Sequence, residues 1–490
     1  MANQARSIWT KTVRMEARTP LPGDIQTEVA IIGAGLCGVL CGRFLAEAGK
    51  KVVLLEAERI ANGQTKHTTA KITSQHHLIY DKLLQSMGQE KAAQYAAANQ
   101  AAIGRYRRLV GQWRIDCDLV DIPAYLYSER ESEPLERELA AALALGVPAD
   151  MPRETSLPFA VRAALRFQHQ AMFHPLKFLD AAAQGLTIYE QTRALHVEGE
   201  EIETPRGTVR AEQIIFACHY PFVNMPGYYF LRMHQERSYV LALENAGQLD
   251  GAYLGVDADG LSFRNWGKLL LLGGGNHRTG ENSAGGQYRH LRSAAQRFWP
   301  QSREVAHWSA QDCMTLDGVP YIGVFSNATP NWYVATGFQK WGMSSSMVAA
   351  SILCDLILGR QNDYGEVFSP QRFHAGASAK NLLEEGRQAL KGLGREFLTL
   401  PMESVAELPP GHGGVVEQQG VKIGVYKEED GTVHAVSTRC PHLGCQVEWN
   451  PDEKTWDCPC HGSRYDFTGR LIDNPAQEGL KVYQLEETKR

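Results

Sequence analysis

The sequence predicts an α/β nucleotide-binding domain of the Rossmann type, followed at the C-terminus by a small all-β domain. Two observations support this prediction. An apolar strand, a glycine-rich turn and a helix follow one another between Glu28 and Gly49, and a second apolar strand comes directly afterwards. Far downstream, the 22 residues 407–428 contain seven glycines or prolines, which is typical of the turns of a separate β domain.

The composition is that of an ordinary globular protein and excludes several classes. The 490 residues suggest about three domains. With 50 basic and 55 acidic residues, the chain has no broad basic surface, so nucleic acid is not an expected partner. It contains no run of about 20 apolar residues, so no membrane span is expected. The first residues lack the apolar core of a secretory signal, and we therefore expect a cytoplasmic protein.

The glycine-rich turn has the spacing of a dinucleotide-binding site. Gly33, Gly35 and Gly38 allow a tight turn, a close approach of the pyrophosphate and close packing of helix on strand. Glu56 ends the second strand, where a carboxylate accepts hydrogen bonds from ribose hydroxyls. No second motif of this kind exists, because Arg278 stands where the last glycine after Gly273 would be. A separate nicotinamide domain is therefore not expected.

Several segments resemble the D-amino-acid oxidase/glycine oxidase family of flavoproteins. They are GAGLCGVLCGRFLAEAGKKVVLLEAERIANGQT, WSAQDCMTLDGVPYIG, WYVATGFQKWGMSSSMVAA and FRNWGKLLLLGGGNHRTG. The resemblance covers about residues 25–375 and implies FAD as the cofactor. It also implies an α/β FAD-binding domain with an inserted antiparallel-sheet substrate domain, formed by roughly residues 80–180 and 225–310.

The same resemblance implies which residues contact FAD. They are Gly33, Gly35, Gly38, Glu56, His67, Thr68, Thr69, Gly337, Trp341, Gly342 and Met343. His67 occupies the place where the dimethylglycine/sarcosine dehydrogenase branch carries a histidine bonded covalently to the flavin. A covalent bond and a non-covalent polar contact both remain open for His67.

The family oxidises C–N bonds of amines and amino acids and often binds a carboxylate through an arginine. The resemblance therefore implies a small amine or amino-acid-like substrate. Candidate pocket residues are Tyr239, Arg264, His277, Arg278 and Lys340. An arginine on a strand is also commonly a surface or salt-bridge residue, and this reading stays open for both arginines.

A cluster of cysteines and histidines near the C-terminus predicts a metal centre. Cys440 and His442 form C-x-H, and after fifteen intervening residues Cys458 and His461 form C-x-x-H. Two thiolates and two imidazoles could hold tetrahedral zinc or a Rieske [2Fe–2S] cluster. The flanking segments CPHLGC and CPCHGS resemble the two loops of Rieske proteins. That resemblance implies the cluster, with the cysteines on one iron and the histidines on the other.

Further residues match the Rieske proteins of respiratory and photosynthetic cytochrome bc-type complexes. Cys445 and Cys460 match a pair that forms a disulfide there, although two reduced thiols remain an alternative. Ser463 and Tyr465 match donors to a bridging sulfide and to a ligand thiolate. Donors near sulfur stabilise the reduced cluster, so the resemblance implies a high potential.

We expect an N-terminal arm over residues 1–27, a flavin domain over 28–375, a helical linker over 376–401 and a Rieske domain over 402–490. The expected function is a dehydrogenase that oxidises its substrate at FAD and passes single electrons through the cluster to an external acceptor, a protein or a quinone. Two alternatives remain open. One is an electron-transfer or redox-sensing protein without a small substrate, and the other is a ferredoxin-fed reductase with reversed electron flow.

Overall fold

A computed structural model of the chain describes residues 6–372, 405–418 and 420–484. These residues form two compact units. The first comprises residues 6–227, 238–275 and 288–372, and the second comprises 228–237, 276–287 and the described residues from 405 onwards. The predicted helical linker, residues 376–401, lies outside the described residues.

The predicted fold class is confirmed. The first unit contains an eight-stranded sheet. Its strands are β1 (Ile25–Ile32), β2 (Val52–Leu55), β7 (Thr187–Tyr189), β8 (His196–Glu198), β9 (Glu201–Thr204), β10 (Gly207–Phe216), β16 (Tyr321–Ser326) and β17 (Thr329–Thr336). Their order is β16-β17-β10-β1-β2-β7, with β9 and β8 paired beyond β10. The strands from β17 to β7 are parallel, as expected of a Rossmann-type domain.

Helices pack against the strands of the first unit because their apolar faces need burial. The described helices are α1 (Trp9–Thr12), α2 (Leu36–Glu47), α3 (Ile79–Trp113), α4 (Glu133–Ala144), α5 (Pro175–Ala182), α6 (Gln287–Phe298), α7 (Gly342–Ile357) and α8 (Gly365–Phe368). Helices α2 and α7 pack on each other. A kink interrupts α3 at Gly88, where φ is +83°. Among the described helices, none is both long and apolar enough to cross a bilayer.

A second, nine-stranded sheet forms the inserted domain. Its strands are β3 (Lys71–Ile72), β4 (Val120–Ser128), β5 (Ala149–Asp150), β6 (Ala163–Met172), β11 (Met233–Glu244), β12 (Ala252–Gly255), β13 (Ser262–Trp266), β14 (Leu269–Arg278) and β15 (Arg303–Thr315). The order is β15-β11-β14-β13-β12-β4-β6-β3, with β5 paired to β6. One pair, β4 with β12, is parallel, and it joins the two sequence segments that the insertion contributes.

The C-terminal part of the second unit consists of two antiparallel four-stranded sheets. The first sheet contains β18 (Gly413–Gln418), β19 (Val421–Lys427), β20 (Val433–Ser437) and β25 (Val482–Tyr483). The second contains β21 (Glu448–Asn450), β22 (Thr455–Asp457), β23 (Arg464–Asp466) and β24 (Leu471–Asp473). Short 3-10 turns occur at Gln64–Lys66, Tyr229–Leu231 and Val405–Glu407.

The glycines of β18 and β19 have a packing role. A Cβ atom on Gly413 would lie 2.4 Å from the indole of Trp449, and one on Gly424 would lie 2.8 Å from that of Trp456. The two indoles pack together with ring centroids 4.9 Å apart. The glycine-rich sequence that predicted a β domain thus makes room for the aromatic core between its two sheets.

Candidate functional site

The predicted dinucleotide turn is present between β1 and α2. Gly33 has φ +108°, and a Cβ atom there would lie 2.6 Å from the carbonyl oxygen of Ala217. A Cβ atom on Gly38 would lie 2.0 Å from the carbonyl oxygen of Gly33. Only glycine fits at either position. The turn at the N-terminus of α2 therefore presents backbone without side chains. That arrangement suits a pyrophosphate.

Glu56 organises this turn from the end of β2. Its carboxylate accepts hydrogen bonds from the backbone N–H of Ala34 at 2.9 Å and of Glu58 at 3.0 Å. Burial raises the pKa of this carboxyl group above its usual value. At the N-terminus of α2, the N–H of Leu36 donates to the hydroxyl oxygen of Thr65 at 3.0 Å. These hydrogen bonds fix the backbone of the turn, and a role of Glu56 in binding the ribose of FAD stays a prediction.

Two buried indoles hold the loop that contains His67, Thr68 and Thr69. The indole N–H of Trp9 donates to the carbonyl oxygen of Thr68 at 2.8 Å. The indole N–H of Trp308 donates to the carbonyl oxygen of His67, also at 2.8 Å. Trp9 and Trp308 are almost inaccessible to solvent. The backbone of the loop is therefore fixed, while the side chains of His67, Thr68 and Thr69 remain partly exposed.

Arg264 holds the next residue of this loop. Its Nη1 donates to the carbonyl oxygen of Ala70 at 3.1 Å, and its guanidinium lies 5.6 Å from the centroid of Trp9. Its Nε and Nη2 are buried and make no hydrogen bond within the described part of the chain. Burial lowers the pKa of Arg264 to about 9.

Lys71 adds a second cation beside the first. Its Nζ lies 5.8 Å from the ring centroid of Trp341. Burial and the charge of Arg264 lower the pKa of Lys71 to about 8. Neither cation forms an ion pair with a carboxylate among the described residues. Arg264 is buried and Lys71 is partly buried. Cations removed from water without counter-charges are costly, so this arrangement favours the binding of an anion.

The segment from Gly337 to Met343, which contains four of the residues expected to contact FAD, leads into α7. Gly337 has φ +70°, which only glycine adopts without strain. Trp341 occupies the N-cap position of α7, which begins at Gly342. The hydroxyl of Tyr106 donates to the carbonyl oxygen of Met343 at 2.8 Å.

A buried histidine supports Trp341. The ring of His76 stacks on that of Trp341, with centroids 4.8 Å apart and planes 14° from parallel. Its Nε2 lies 2.7 Å from the carbonyl oxygen of Thr73, which can only accept, so Nε2 carries the proton. Its Nδ1 then accepts from the hydroxyl of Tyr95 at 2.6 Å. Burial lowers the pKa of His76 to about 3, so the ring is neutral at physiological pH.

The other candidate pocket residues are spread over the structure. Tyr239 is buried in the core of the second sheet, edge-on to Tyr288 at 4.8 Å. Arg278 lies in the second unit together with His277 and donates to carbonyl oxygens of residues 459 and 460. Tyr239 points inward from β11 in the first unit, whereas Arg278 follows the end of β14 in the second unit. A role of these residues in substrate binding stays a prediction. Lys340 precedes Trp341 in the sequence. Burial and, to a lesser extent, the charge of Lys340 lower the pKa of His77.

The four predicted cluster ligands converge in the second unit. The rings of His442 and His461 lie with centroids 4.8 Å apart. A hydrogen bond with Cys458 lowers the pKa of Cys440 to about 6, and the same interaction raises the pKa of Cys458. The hydroxyl of Tyr465 lies 3.2 Å from the sulfur of Cys440. Two thiols and two imidazoles that meet in this way fit an iron–sulfur cluster with mixed ligands.

A disulfide joins the two ligand loops. The sulfur atoms of Cys445 and Cys460 lie 2.17 Å apart, and 15 residues separate the two cysteines in sequence. In the chain-entropy model, closing a loop of this length contributes roughly 3 kcal/mol. The sulfur atoms of Cys445, Cys458 and Cys460 all lie within 4.8 Å of one another, so the bond is adjacent to a ligand.

Ser463 and Tyr465 surround the sulfur of Cys440. Both side chains hydrogen-bond to Cys440 and lower the pKa of its thiol. The hydroxyl oxygen of Ser463 accepts from the backbone N–H of Ala476 at 3.0 Å, which leaves its own proton available to donate. The loop that contains His442 is more exposed to solvent than the loop that contains His461. Leu443, which follows His442, is 43% exposed, whereas His461 is 6% exposed.

Comparisons with known proteins agree with this geometry. The family model "FAD dependent oxidoreductase" matches residues 28–356, and the model "Rieske [2Fe-2S] domain" matches residues 399–484. The chain belongs to the family of FAD-dependent oxidoreductases. It contains an FAD site and a Rieske cluster site, and the predicted recognition and cofactors are confirmed.

One curated relative matches nearly the whole of this FAD-dependent oxidoreductase, and others match only a short part of it. It is 37% identical to the putative Rieske 2Fe-2S iron-sulfur protein YhfW of Bacillus subtilis (strain 168), over 99% of this chain and 100% of that protein. Over 12% of this chain and 34% of the relative, it is 45% identical to cytochrome b6-f complex iron-sulfur subunit 2 of Nostoc sp. (strain PCC 7120 / SAG 25.82 / UTEX 2576).

Solved structures share the fold of the oxidoreductase part. Glycine oxidase from Geobacillus kaustophilus superposes with a TM-score of 0.61 at 18% identity, over 71% of this chain and 99% of that one. L-proline dehydrogenase from P. horikoshii superposes with a TM-score of 0.60 at 16% identity, over 73% of this chain and 99% of that one.

Sequence reasoning missed several residues of the flavin region. Lys71 stands four residues after His67 in a segment already singled out, so its proximity was a usable signal. Trp9, Trp308 and His76 gave no signal, because Thr68, His67 and Trp341, which they contact, lie 59 residues or more away in sequence. Only the folded chain brings such donors and acceptors together.

We predict that His76→Gln reduces the loss of stability in acid. The unfolded-state pKa is near 6.5 and the folded-state pKa is about 3, so wild-type stability from this group is complete above about pH 6.5 and is lost as the pH falls towards 3. Between pH 7 and pH 5 the wild type should lose about 2 kcal/mol more than the variant. Urea unfolding followed by tryptophan fluorescence measures both. His290 is exposed, and the matched control His290→Gln should behave as wild type. The prediction is contradicted if the free energy of unfolding changes with pH equally in His76→Gln and in wild type.

We predict that Tyr465→Phe lowers the cluster potential. The change removes one hydrogen bond to the sulfur of Cys440 and leaves the ring in place. A loss of ~1 kcal/mol corresponds to a shift of roughly 40 mV for a one-electron couple. Redox titration followed by electron paramagnetic resonance measures the shift. An unchanged potential, or purified wild-type protein with zinc and no iron, would refute the role of Tyr465 or the cluster itself.

Proposed function

We propose that this protein is a dehydrogenase for a small amine or amino-acid-like substrate, with the Rieske centre as the exit for single electrons. Bound FAD supplies the capacity to accept a hydride from a C–H bond next to nitrogen. The observation that carries the substrate class is a pair of cations, buried Arg264 and partly buried Lys71, which lack a carboxylate partner among the described residues.

The two cations are suited to a substrate carboxylate. Both pKa values, about 9 and about 8, lie above neutral pH, so Arg264 and Lys71 are mainly charged there. Arg264 also donates to the loop that begins at His67, and Lys71 faces Trp341, so both lie beside residues assigned to FAD. His76 is neutral and fully engaged, so its role is to position Trp341 and not to transfer protons.

The names of structural neighbours support an amino-acid-like substrate. Glycine oxidase and L-proline dehydrogenase share the fold, and both names specify an amino acid. The acceptor is an external protein or quinone. Tyr465 and Ser463 both donate towards Cys440, which favours the reduced form of the cluster and therefore an electron sink.

We place this chemistry in the cytoplasm. The cysteines of the first unit are buried or partly buried free thiols, as is typical of a reducing compartment. They are Cys37, Cys41, Cys117, Cys218, Cys313 and Cys354.

We predict that His67 carries FAD covalently. Acid-precipitated wild-type protein should then keep its yellow colour in the pellet, and His67→Ala should release FAD into the supernatant. The neighbouring variant Thr68→Ala is the matched control and should retain colour like wild type. Complete release from wild type would reject the covalent bond and leave the FAD site untouched.

We predict that electrons enter on the flavin side and leave through the cluster. Cys458→Ala removes one cluster ligand, and the described contacts of the flavin region do not involve that residue. Under anaerobic mixing with secondary amines, N-methyl amino acids and D-amino acids, the variant should bleach its flavin absorbance as wild type does. It should lose electron delivery to a one-electron acceptor, and its flavin should reoxidise only with oxygen.

Two outcomes of the same experiment would support other functions. The first outcome combines two results. A substrate that bleaches the wild-type flavin does not bleach the flavin of folded, FAD-loaded Cys458→Ala protein, and reduced ferredoxin reduces the wild-type cluster. Electron flow is then the reverse of the proposed direction. If no member of the panel bleaches wild type while a reduced protein partner does, the chain is an electron-transfer protein without a small substrate. Arg264→Met provides the matched test of substrate class, since it should weaken bleaching by carboxylate-bearing substrates more than by simple amines.

A further inference from the structure

Two segments outside the Rieske sequence belong to the second unit. They are residues 228–237, which contain the start of β11, and residues 276–287, which contain the end of β14. The backbone N–H of Thr279 donates to the carbonyl oxygen of Gln235 at 3.0 Å, so the segments lie side by side. We call them the flanking segments.

Side chains of the flanking segments donate to three consecutive carbonyl groups of the second ligand loop. Arg278 donates through Nε to the carbonyl oxygen of Pro459 at 3.0 Å and through Nη2 to that of Cys460 at 3.3 Å. Gln235 donates through Nε2 to the carbonyl oxygen of His461 at 2.7 Å. The ligand His461 and its two predecessors therefore have their backbone fixed from outside the Rieske sequence.

Glycines permit this close approach on both sides. Gly462 has φ +80°, and a Cβ atom there would lie 2.6 Å from the side chain of Gln235. Gly280 has φ +77°, and a Cβ atom there would lie 2.6 Å from the backbone nitrogen of Pro459. The ring of Phe230 also meets the ring of His461 edge-on, with centroids 5.9 Å apart. The contact is fitted at the level of the backbone.

Buried charges hold the flanking segments in place. Arg237 is 2% exposed and pairs with Glu453, and Glu453 pairs in turn with Arg464 at 3.0 Å. Arg464 also pairs with Asp457 at 3.0 Å. Because these side chains are buried, removing one would leave its partners uncompensated. The contact is therefore a stable part of the unit.

A second attachment lies at the other flanking segment. Asp452 accepts from the side-chain amide of Asn282 at 3.0 Å and from the backbone N–H groups of Gly286 at 3.1 Å and Gln287 at 2.9 Å. Both flanking segments are thus bound to the turn between β21 and β22 as well as to the ligand loop.

We propose that the flanking segments complete the Rieske centre, with Gln235 and Arg278 as positioning residues of the His461 loop. Reduction adds one electron to the cluster and makes it more negative. A fixed guanidinium at the ligand loop stabilises that state and so raises the reduction potential. Gln235 sets the orientation of His461 through the carbonyl group of that residue.

The test is a dithionite titration of the full-length protein, followed by electron paramagnetic resonance. It uses the cluster alone and needs no substrate, so its outcome is separate from that of the proposed dehydrogenase function. Arg278→Met should reduce the ratio of reduced to oxidised cluster at a fixed potential about tenfold, which is ~59 mV for a one-electron couple. Gln235→Leu should shift the g values of the reduced cluster at unchanged iron content.

Two matched variants separate positioning from general effects. Arg470→Met removes a 71% exposed cation from the same Rieske fold and should leave the potential at the wild-type value. Arg278→Lys keeps the charge and should restore most of the potential even if Arg278→Met loads iron poorly. The proposal is overturned if Arg278→Met and Gln235→Leu both keep the wild-type potential and g values and show only lower resistance to protease. The flanking segments would then have a structural role alone. An equal shift in Arg470→Met would do the same for Arg278.

Discussion

Both cofactor regions depend on one kind of interaction, a buried donor from a distant part of the chain that bonds to a carbonyl group of a loop. In the first unit, Trp9 and Trp308 hold the carbonyl groups of Thr68 and His67. In the second unit, Gln235 holds the carbonyl group of His461. A buried carbonyl group without a donor is costly, so each of these bonds fixes the backbone of its loop.

Two buried arginines illustrate the difference between a structural and a functional cation. Arg237 and Arg264 are equally inaccessible, each 2% exposed. Arg237 is neutralised by Glu453 inside the unit. Arg264 has no carboxylate partner in the described part of the chain, and burial lowers its pKa. An unpaired buried charge is costly, and this cost is the basis of our proposal that Arg264 binds an anionic substrate.

The described Rieske unit differs from an independent module attached by a linker. Its ligands come from the C-terminal sequence, but its boundary also takes in residues 228–237 and 276–287. Sequence reasoning divided the chain at the composition change near residue 402 and so kept these segments in the flavin domain. Composition marks where a fold changes along the chain, and it carries no information on which distant segment packs against it.

The sequence alone determined the features that are local. The glycines of the dinucleotide turn, the ligands Cys440, His442, Cys458 and His461 and the two-domain fold class all follow from spacings of a few residues within one turn or loop. Short spacings fix geometry because few residues separate the interacting groups. The disulfide partners and Tyr465 were expected from the resemblance of the two ligand loops to Rieske proteins, and the structure has the disulfide and places Tyr465 beside Cys440.

Only the tertiary structure decided which side chains act across the fold. Candidate pocket residues from one continuous stretch went to different environments: Arg264 to the flavin loop, Tyr239 to a core and Arg278 to the cluster loop. Alternation along a strand sends neighbouring side chains to opposite faces, and strand ends lead into different units. Their partners lie more than 150 residues away in two of these three cases, at separations of 194 and 181 residues. Such contacts depend on the packing of the whole chain, which no local spacing encodes.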